Sequence, residues 1–114
     1  MIHRDEASGV TVFRLGRSYD SLSSEANLEL HRQLAQLAAQ ANPPLLVLDM
    51  QRTEMFGSTF LEVLVRNWKA LSVRGGKMAL ASLSPFCAEV LRQTNLDELW
   101  PMYATVAEAI GGLR

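Results

Sequence analysis

The segment LLVLDM, Leu45 to Met50, limits what this chain can become more than any other stretch. Five of its six residues are apolar, Asn42-Pro43-Pro44 stands directly before it, and sequence of helical period lies on both sides. A short, continuous apolar run of this kind reads as a central strand covered on one face or both. Proline cannot continue a helical hydrogen-bond ladder, so a helix arriving from upstream must end at Pro43-Pro44. A central strand between two helices needs crossover connections, and crossovers make parallel strand pairs.

The flanking segments fit that frame. Upstream, Ala26, Leu30, Leu34, Leu37, Ala38 and Ala41 recur at steps of three and four, so a helix is expected from Ser23 or Ser24 to about Ala41. Downstream, Leu61, Leu64, Val65, Trp68 and Leu71 form one face of a second helix, Ser58 to Val73, which Arg74-Gly75-Gly76 stops. GVTVFRLG, Gly9 to Gly16, reads as a strand between glycines. Ile2 to Glu6 would pair with it as a short edge strand, through a hairpin turn at Ala7-Ser8-Gly9. Lys77 to Ser82 is a further strand. Ser84-Pro85 opens a third helix, with serine as cap and proline at the first helical position, and that helix frays near Gln93 to Asn95. Leu99 to Tyr103 gives a last strand, and TVAE, Thr105 to Glu108, has the spacing of a capping box for a short fourth helix. The expected architecture is α/β, a mixed sheet of about five strands with about four helices, in a single domain over residues 1–114.

Bulk composition removes several classes of function. The chain has 114 residues, 48% hydrophobic and 20% charged, with a formal net charge of −1, which is globular composition without a nucleic-acid footprint. Arg66, Lys69, Arg74 and Lys77 form a loose basic cluster that reads as a solvated helix face and turn. Cys87 is the one cysteine, so neither a disulfide framework nor a multi-cysteine zinc site is available, which suits a reducing compartment. MIHRDEASG is too polar for a secretory signal, and no apolar run reaches membrane-spanning length. The expectation is a soluble cytoplasmic protein with no membrane insertion and no direct nucleic-acid contact.

No nucleophile, base and orienting group stand together in the sequence. His3 falls on the edge strand and His31 on the polar side of the first helix, both at the surface; no metal ligands cluster, and no cofactor is expected. Gly75-Gly76 lacks the spacing of a phosphate-binding fingerprint and reads as a turn. Trp68 and Cys87 read as core, and Trp100 and Met102 suit either core or a partner surface. The chain is not expected to be an enzyme. What remains is MFGSTF, Met55 to Phe60, where Gly57, Ser58 and Thr59 sit at the entrance of the second helix. One reading is ordinary helix capping. The other is chemical: amides at a helix start point their unpaired donors outward with the positive end of the dipole, so a hydroxyl there suits reversible phosphorylation.

From about Gly9 to Leu113 the chain resembles the STAS domain of bacterial anti-sigma factor antagonists. The resemblance runs through LLVLDM, the junction Phe56-Gly57-Ser58-Thr59-Phe60-Leu61, the Gly75-Gly76 turn, KMALAS, and the closing stretch LSPFCAEVLRQTNLDELWPMYATVAEAI. In the family a hydrophobic residue is followed by Asp-Ser-Ser/Thr-Gly-Leu at the start of a helix. Ser58 falls at the phosphoacceptor serine and Thr59 at the neighbouring hydroxyl, the fallback acceptor. Gly57 replaces the acidic residue and Phe60 replaces the glycine. The family's Gly-x-Leu-Asp turn has its counterpart in GRSYD, which offers Gly16 and Asp20 with one extra residue.

The resemblance implies a partner-switching regulator of transcription. Unphosphorylated, such a protein binds an anti-sigma factor that is also a serine kinase; phosphorylation of Ser58 would break the complex, and a phosphatase would reset it. Asp20, Gly57, Ser58, Thr59 and Phe60 are the implied partner-binding residues. Phe60 carries two expectations, an anchor for a partner if exposed and core if buried. The alternative function is a STAS-like interaction module that docks constitutively on a regulator, transporter or complex without a phospho-switch, motivated by Gly57 and Phe60.

Overall fold

The computed structural model describes residues 1–20 and 24–113 of the chain. The expected helix start at Ser23 falls outside the described residues. Strand β1 spans Ile2–Arg4, β2 Thr11–Arg14, β3 Ser18–Tyr19, β4 Leu45–Asp49, β5 Met55–Phe56, β6 Lys77–Ala81 and β7 Met102–Tyr103. Helix α1 spans Ser24–Gln40, α2 Ser58–Val73, α3 Pro85–Gln93 and α4 Val106–Leu113, with one 3₁₀ turn at Leu96–Glu98. The main sheet has the order β1-β2-β4-β6-β7, antiparallel at β1–β2 and parallel elsewhere. This is the mixed five-stranded sheet with four helices that the sequence implies.

Strand order explains the layering. From β2 through β4 and β6 to β7 the chain always steps in the same direction, and right-handed crossovers then put α1, α2 and α3 on one face of the sheet. That face holds the larger core, built on Phe13, Leu15, Leu46, Leu48, Met78 and Leu80 beneath Leu30, Leu34, Leu64 and Leu71. The opposite face is covered by α4, whose Ala109 and Leu113 rest on Val10, Val12, Val47, Ala79 and Ala81. Alternation of side chains along each strand separates the two cores, which is why LLVLDM is apolar almost throughout. Trp100 is fully buried, with its ring edge-on to the half-buried Trp68 at 6.4 Å, so it belongs to the core.

The helix ends follow their local chemistry. Ser84 Oγ accepts from Cys87 N at 3.1 Å and Pro85 takes the first turn of α3. Thr105 Oγ1 accepts from Glu108 N at 3.1 Å, one half of the expected box. At the end of α2, Gly75 has φ +76°, and a β-carbon on Gly76 would lie 2.6 Å from the Pro44 carbonyl oxygen. Arg74 is not a free surface cation. Its guanidinium donates to the carbonyls of Ala38 and Ala41 at 2.8 and 2.7 Å, tying the end of α2 to the last turn of α1.

Two further expectations change. The segment from Leu99 is not extended until Met102, because Leu99 N and Trp100 N both close onto the Leu96 carbonyl and Pro101 has no N–H to give. His31 is half-buried, not a surface residue: its Nδ1 lies 3.1 Å from Asn67 Nδ2 on α2. The small second sheet, β3 parallel to β5, escaped notice because two-residue strands carry no period.

Candidate functional site

All four helices begin at the end of the sheet where the parallel strands finish. The sheet has no point where strand order reverses, so it lacks the crevice in which doubly wound folds hold small ligands. Whatever chemistry this end presents must be carried by its loops and helix entrances.

A rigid seam builds the entrance of α2. After Arg14 and Asp49, paired across β2 and β4, Leu15 N donates to the Asp49 carbonyl at 3.0 Å. The Gln51-Arg52 turn then intervenes, and the two chains pair again: Thr53 Oγ1 donates to the Gly16 carbonyl at 2.8 Å, and Glu54 N to the Arg17 carbonyl at 2.8 Å. β3 and β5 follow, with Tyr19 opposite Phe56, and Gly57 N donates to the Tyr19 carbonyl at 3.0 Å. Gly16 is held from both sides, since its N–H also donates to the Tyr19 hydroxyl at 2.6 Å. Beneath the seam, the buried Cys87 sulfur lies 3.7 Å from the Thr53 carbonyl oxygen and 3.9 Å from that of Glu54. Burial pushes the Tyr19 hydroxyl above its ordinary pKa, and the Gly16 N–H opposes that in part.

On this seam stand the residues singled out by sequence. Gly57 is the N-cap, in ordinary extended backbone (φ −113°, ψ −170°), and as a glycine it brings no side chain to cap the helix. Ser58 and Thr59 are therefore the first two helical residues, both exposed, and the Ser58 hydroxyl has no capping duty. The amides of Ser58, Thr59 and Phe60 belong to the first turn, where intrahelical acceptors are missing. Asp20 follows Tyr19, so the β3–β5 pairing brings it beside Gly57; its main-chain carbonyl accepts from Asn27 Nδ2 at 3.0 Å. Asp20, Gly57, Ser58 and Thr59 thus share one end of the molecule.

Phe60 does not join them. It is 0% exposed, stacked on Phe56 with centroids 4.6 Å apart and tilted against Tyr19 at 5.0 Å. Of its two expectations the core one holds, and it is withdrawn as a partner contact. Two other apolar side chains are exposed here: Met55, directly before Phe56, at 45%, and Phe86, in the first turn of α3, at 59%. The contacts of Cys87 with Thr53 and Glu54 fix that turn of α3 against the seam. Sequence reasoning missed both, although Phe86 after Ser84-Pro85 sits at a position that a capped helix turns away from its own core stripe of Cys87 and Leu91.

Among the described residues no group of three His, Cys, Asp or Glu could hold a metal ion, and no helix is long and apolar enough to cross a membrane. The order of strands and helices, with four helices on a mixed five-stranded sheet, is that of a STAS fold. The STAS domain family model matches residues 2–109, and the chain belongs to that family. It is similar to a solved anti-sigma-factor antagonist (STAS) domain protein from Planctomyces limnophilus, with 31% identity over 99% of this chain and 96% of the other, and a TM-score of 0.82. A putative anti-sigma factor antagonist from Thermotoga maritima is 23% identical over 100% of this chain and 93% of its own, with a TM-score of 0.86. The phosphorylated form of the Bacillus cell fate determinant SpoIIAA shares the fold at 19% identity, covering 100% of this chain and 98% of its own, with a TM-score of 0.74. Among curated proteins, none matches the chain in sequence.

Proposed function

We propose that this chain is an anti-sigma factor antagonist-like regulator, cytoplasmic and itself non-catalytic, whose binding to an anti-sigma factor with serine kinase activity is switched at Ser58. The observation that carries the reading is the position of Ser58: exposed, at the first position of α2, with its hydroxyl released from capping by Gly57. In the transfer, the Ser58 oxygen would bond to the γ-phosphorus of ATP held by the kinase. The bond from that phosphorus to the ADP oxygen breaks, and the hydroxyl proton leaves to a base or water on the kinase side. Magnesium would come with the kinase and its nucleotide.

The product suits its place. A phosphoryl group carries about −1.5 to −2 charge at neutral pH, and the first turn of a helix favours an anion, so α2 would keep its fold. A fitted partner would not tolerate the same charge, because burying it costs desolvation and repulsion. A loss of about 3 kcal/mol lowers affinity roughly a hundredfold, enough to release a partner. Met55 and Phe86 supply the exposed apolar contact that Phe60 does not.

Incubation with the cognate kinase and ATP, followed by peptide mapping, should place phosphate on Ser58, with Thr59 the fallback. Ser58→Asp should weaken the complex about a hundredfold while Ser58→Ala leaves it intact. Phosphate on neither residue would remove the switch, and equal binding by both variants would favour constitutive docking.

A further inference from the structure

Along α2, one turn beyond Ser58, lies a shallow groove of about 460 Å³ lined by Leu61, Glu62, Val65, Arg66 and Lys69. Its floor is made by Leu61 and Val65, four residues apart on the same helix face and both half-buried against the core. Its far end carries two cations. Neither Arg66 nor Lys69 takes part in the ion pairs formed among the described residues, which join Arg14 to Asp49, Arg17 to Glu54, Arg32 to Glu29 and Arg92 to Glu89. Glu62 lies one turn after Ser58, so the groove is polarised: one carboxylate at the Ser58 end, a guanidinium and an ammonium at the other.

We infer that this groove receives an acidic amphipathic helix of a partner protein, its apolar residues over Leu61 and Val65 and its carboxylates against Arg66 and Lys69. Paired apolar residues at one-turn spacing offer the footing that an amphipathic helix reads with its own i and i+4 side chains. The unpaired cations set the sign of the segment, because complementary charge at the rim selects among amphipathic helices of similar apolar content. The inference rests on the proposed regulatory reading in giving the partner its role: phosphate on Ser58 would stand next to Glu62 and add negative charge at the mouth of a groove that accepts an acidic segment.

The test uses the whole chain, ¹⁵N-labelled, and two synthetic amphipathic helical peptides that share their leucines and differ only in carrying glutamate or lysine elsewhere. The glutamate peptide is expected to shift the amides of Leu61, Val65, Arg66 and Lys69, and the lysine peptide to leave them unmoved. The double variant Arg66→Glu with Lys69→Glu, both at exposed positions, should lower affinity for the glutamate peptide about tenfold or more and reverse the preference. Equal response to both peptides, shifts centred away from α2, or stronger binding of the same cations to anionic lipid vesicles than to the peptide would overturn the inference. Kinase labelling separates it from the switch: Ser58 phosphorylated with an empty groove defeats only the groove, and an occupied groove with Ser58 never labelled defeats only the switch.

Discussion

Phe60 and Phe86 show how the same side chain takes opposite roles by position. Phe60 fills the space between Phe56 and Tyr19 under the α2 entrance, and Phe86 stands in solvent on α3. Phe60→Ala is expected to cost about 3–5 kcal/mol by opening a cavity, whereas Phe86→Ala should change stability by no more than about 0.5 kcal/mol yet weaken partner binding. Urea denaturation and a binding titration on the two variants check this pair. Tyr19 adds a pH signature. Its folded pKa lies above the ordinary value of 10.0 because the hydroxyl is desolvated, so the unfolded chain loses that proton first as pH rises. The contribution to stability is present below about pH 10 and is lost as pH climbs through the raised value. Denaturation between neutral and strongly alkaline pH should show that decline in the parent and a shallower one in Tyr19→Phe.

At the scale of elements, a tight backbone constraint lies where α2 turns into β6. Leu71, Pro44 and Gly76 meet so closely that a β-carbon on Gly76 would overlap the Leu71 side chain and the Pro44 carbonyl. Gly76→Ala should therefore destabilise by about 1–3 kcal/mol, read as a lower denaturation midpoint. Gly75→Ala is also expected to destabilise, but through its positive φ alone, since open space surrounds that position. Arg74 makes the same junction into a clasp on α1, which couples the ends of both helices. The seam at the opposite end, from Gly16 to Gly57, holds the Ser58 entrance with main-chain bonds and the Thr53 and Tyr19 hydroxyls, so the site is presented on a fixed platform.

Across the whole molecule the sheet is asymmetric: three helices cover one face, α4 the other, and the edges are the three-residue β1 and the two-residue β7. Stability should follow that gradient. In native-state hydrogen exchange, amides of Val47, Leu48, Ala79 and Leu80, all fully buried, are expected to exchange last, and those of β1 first. Exchange at β1 as slow as at β4 would contradict this order.

By itself the sequence determined the α/β alternation, the five-stranded sheet and the placing of Ser58 at the start of α2, because apolar period and helix-end chemistry are local and can be read off consecutive residues. The resemblance through LLVLDM and the closing stretch reached the family for the same reason, since those features are ordered along the chain. What only the tertiary structure decided depends on residues distant in sequence. Phe60 is core because Tyr19 arrives from β3 to cover it; Arg74 is bound because α1 ends beside it; Met55 and Phe86 are exposed because, among the described residues, nothing folds over them. Burial is a property of packing neighbours, and a single strand of letters carries the identity of a side chain without carrying what will lie against it.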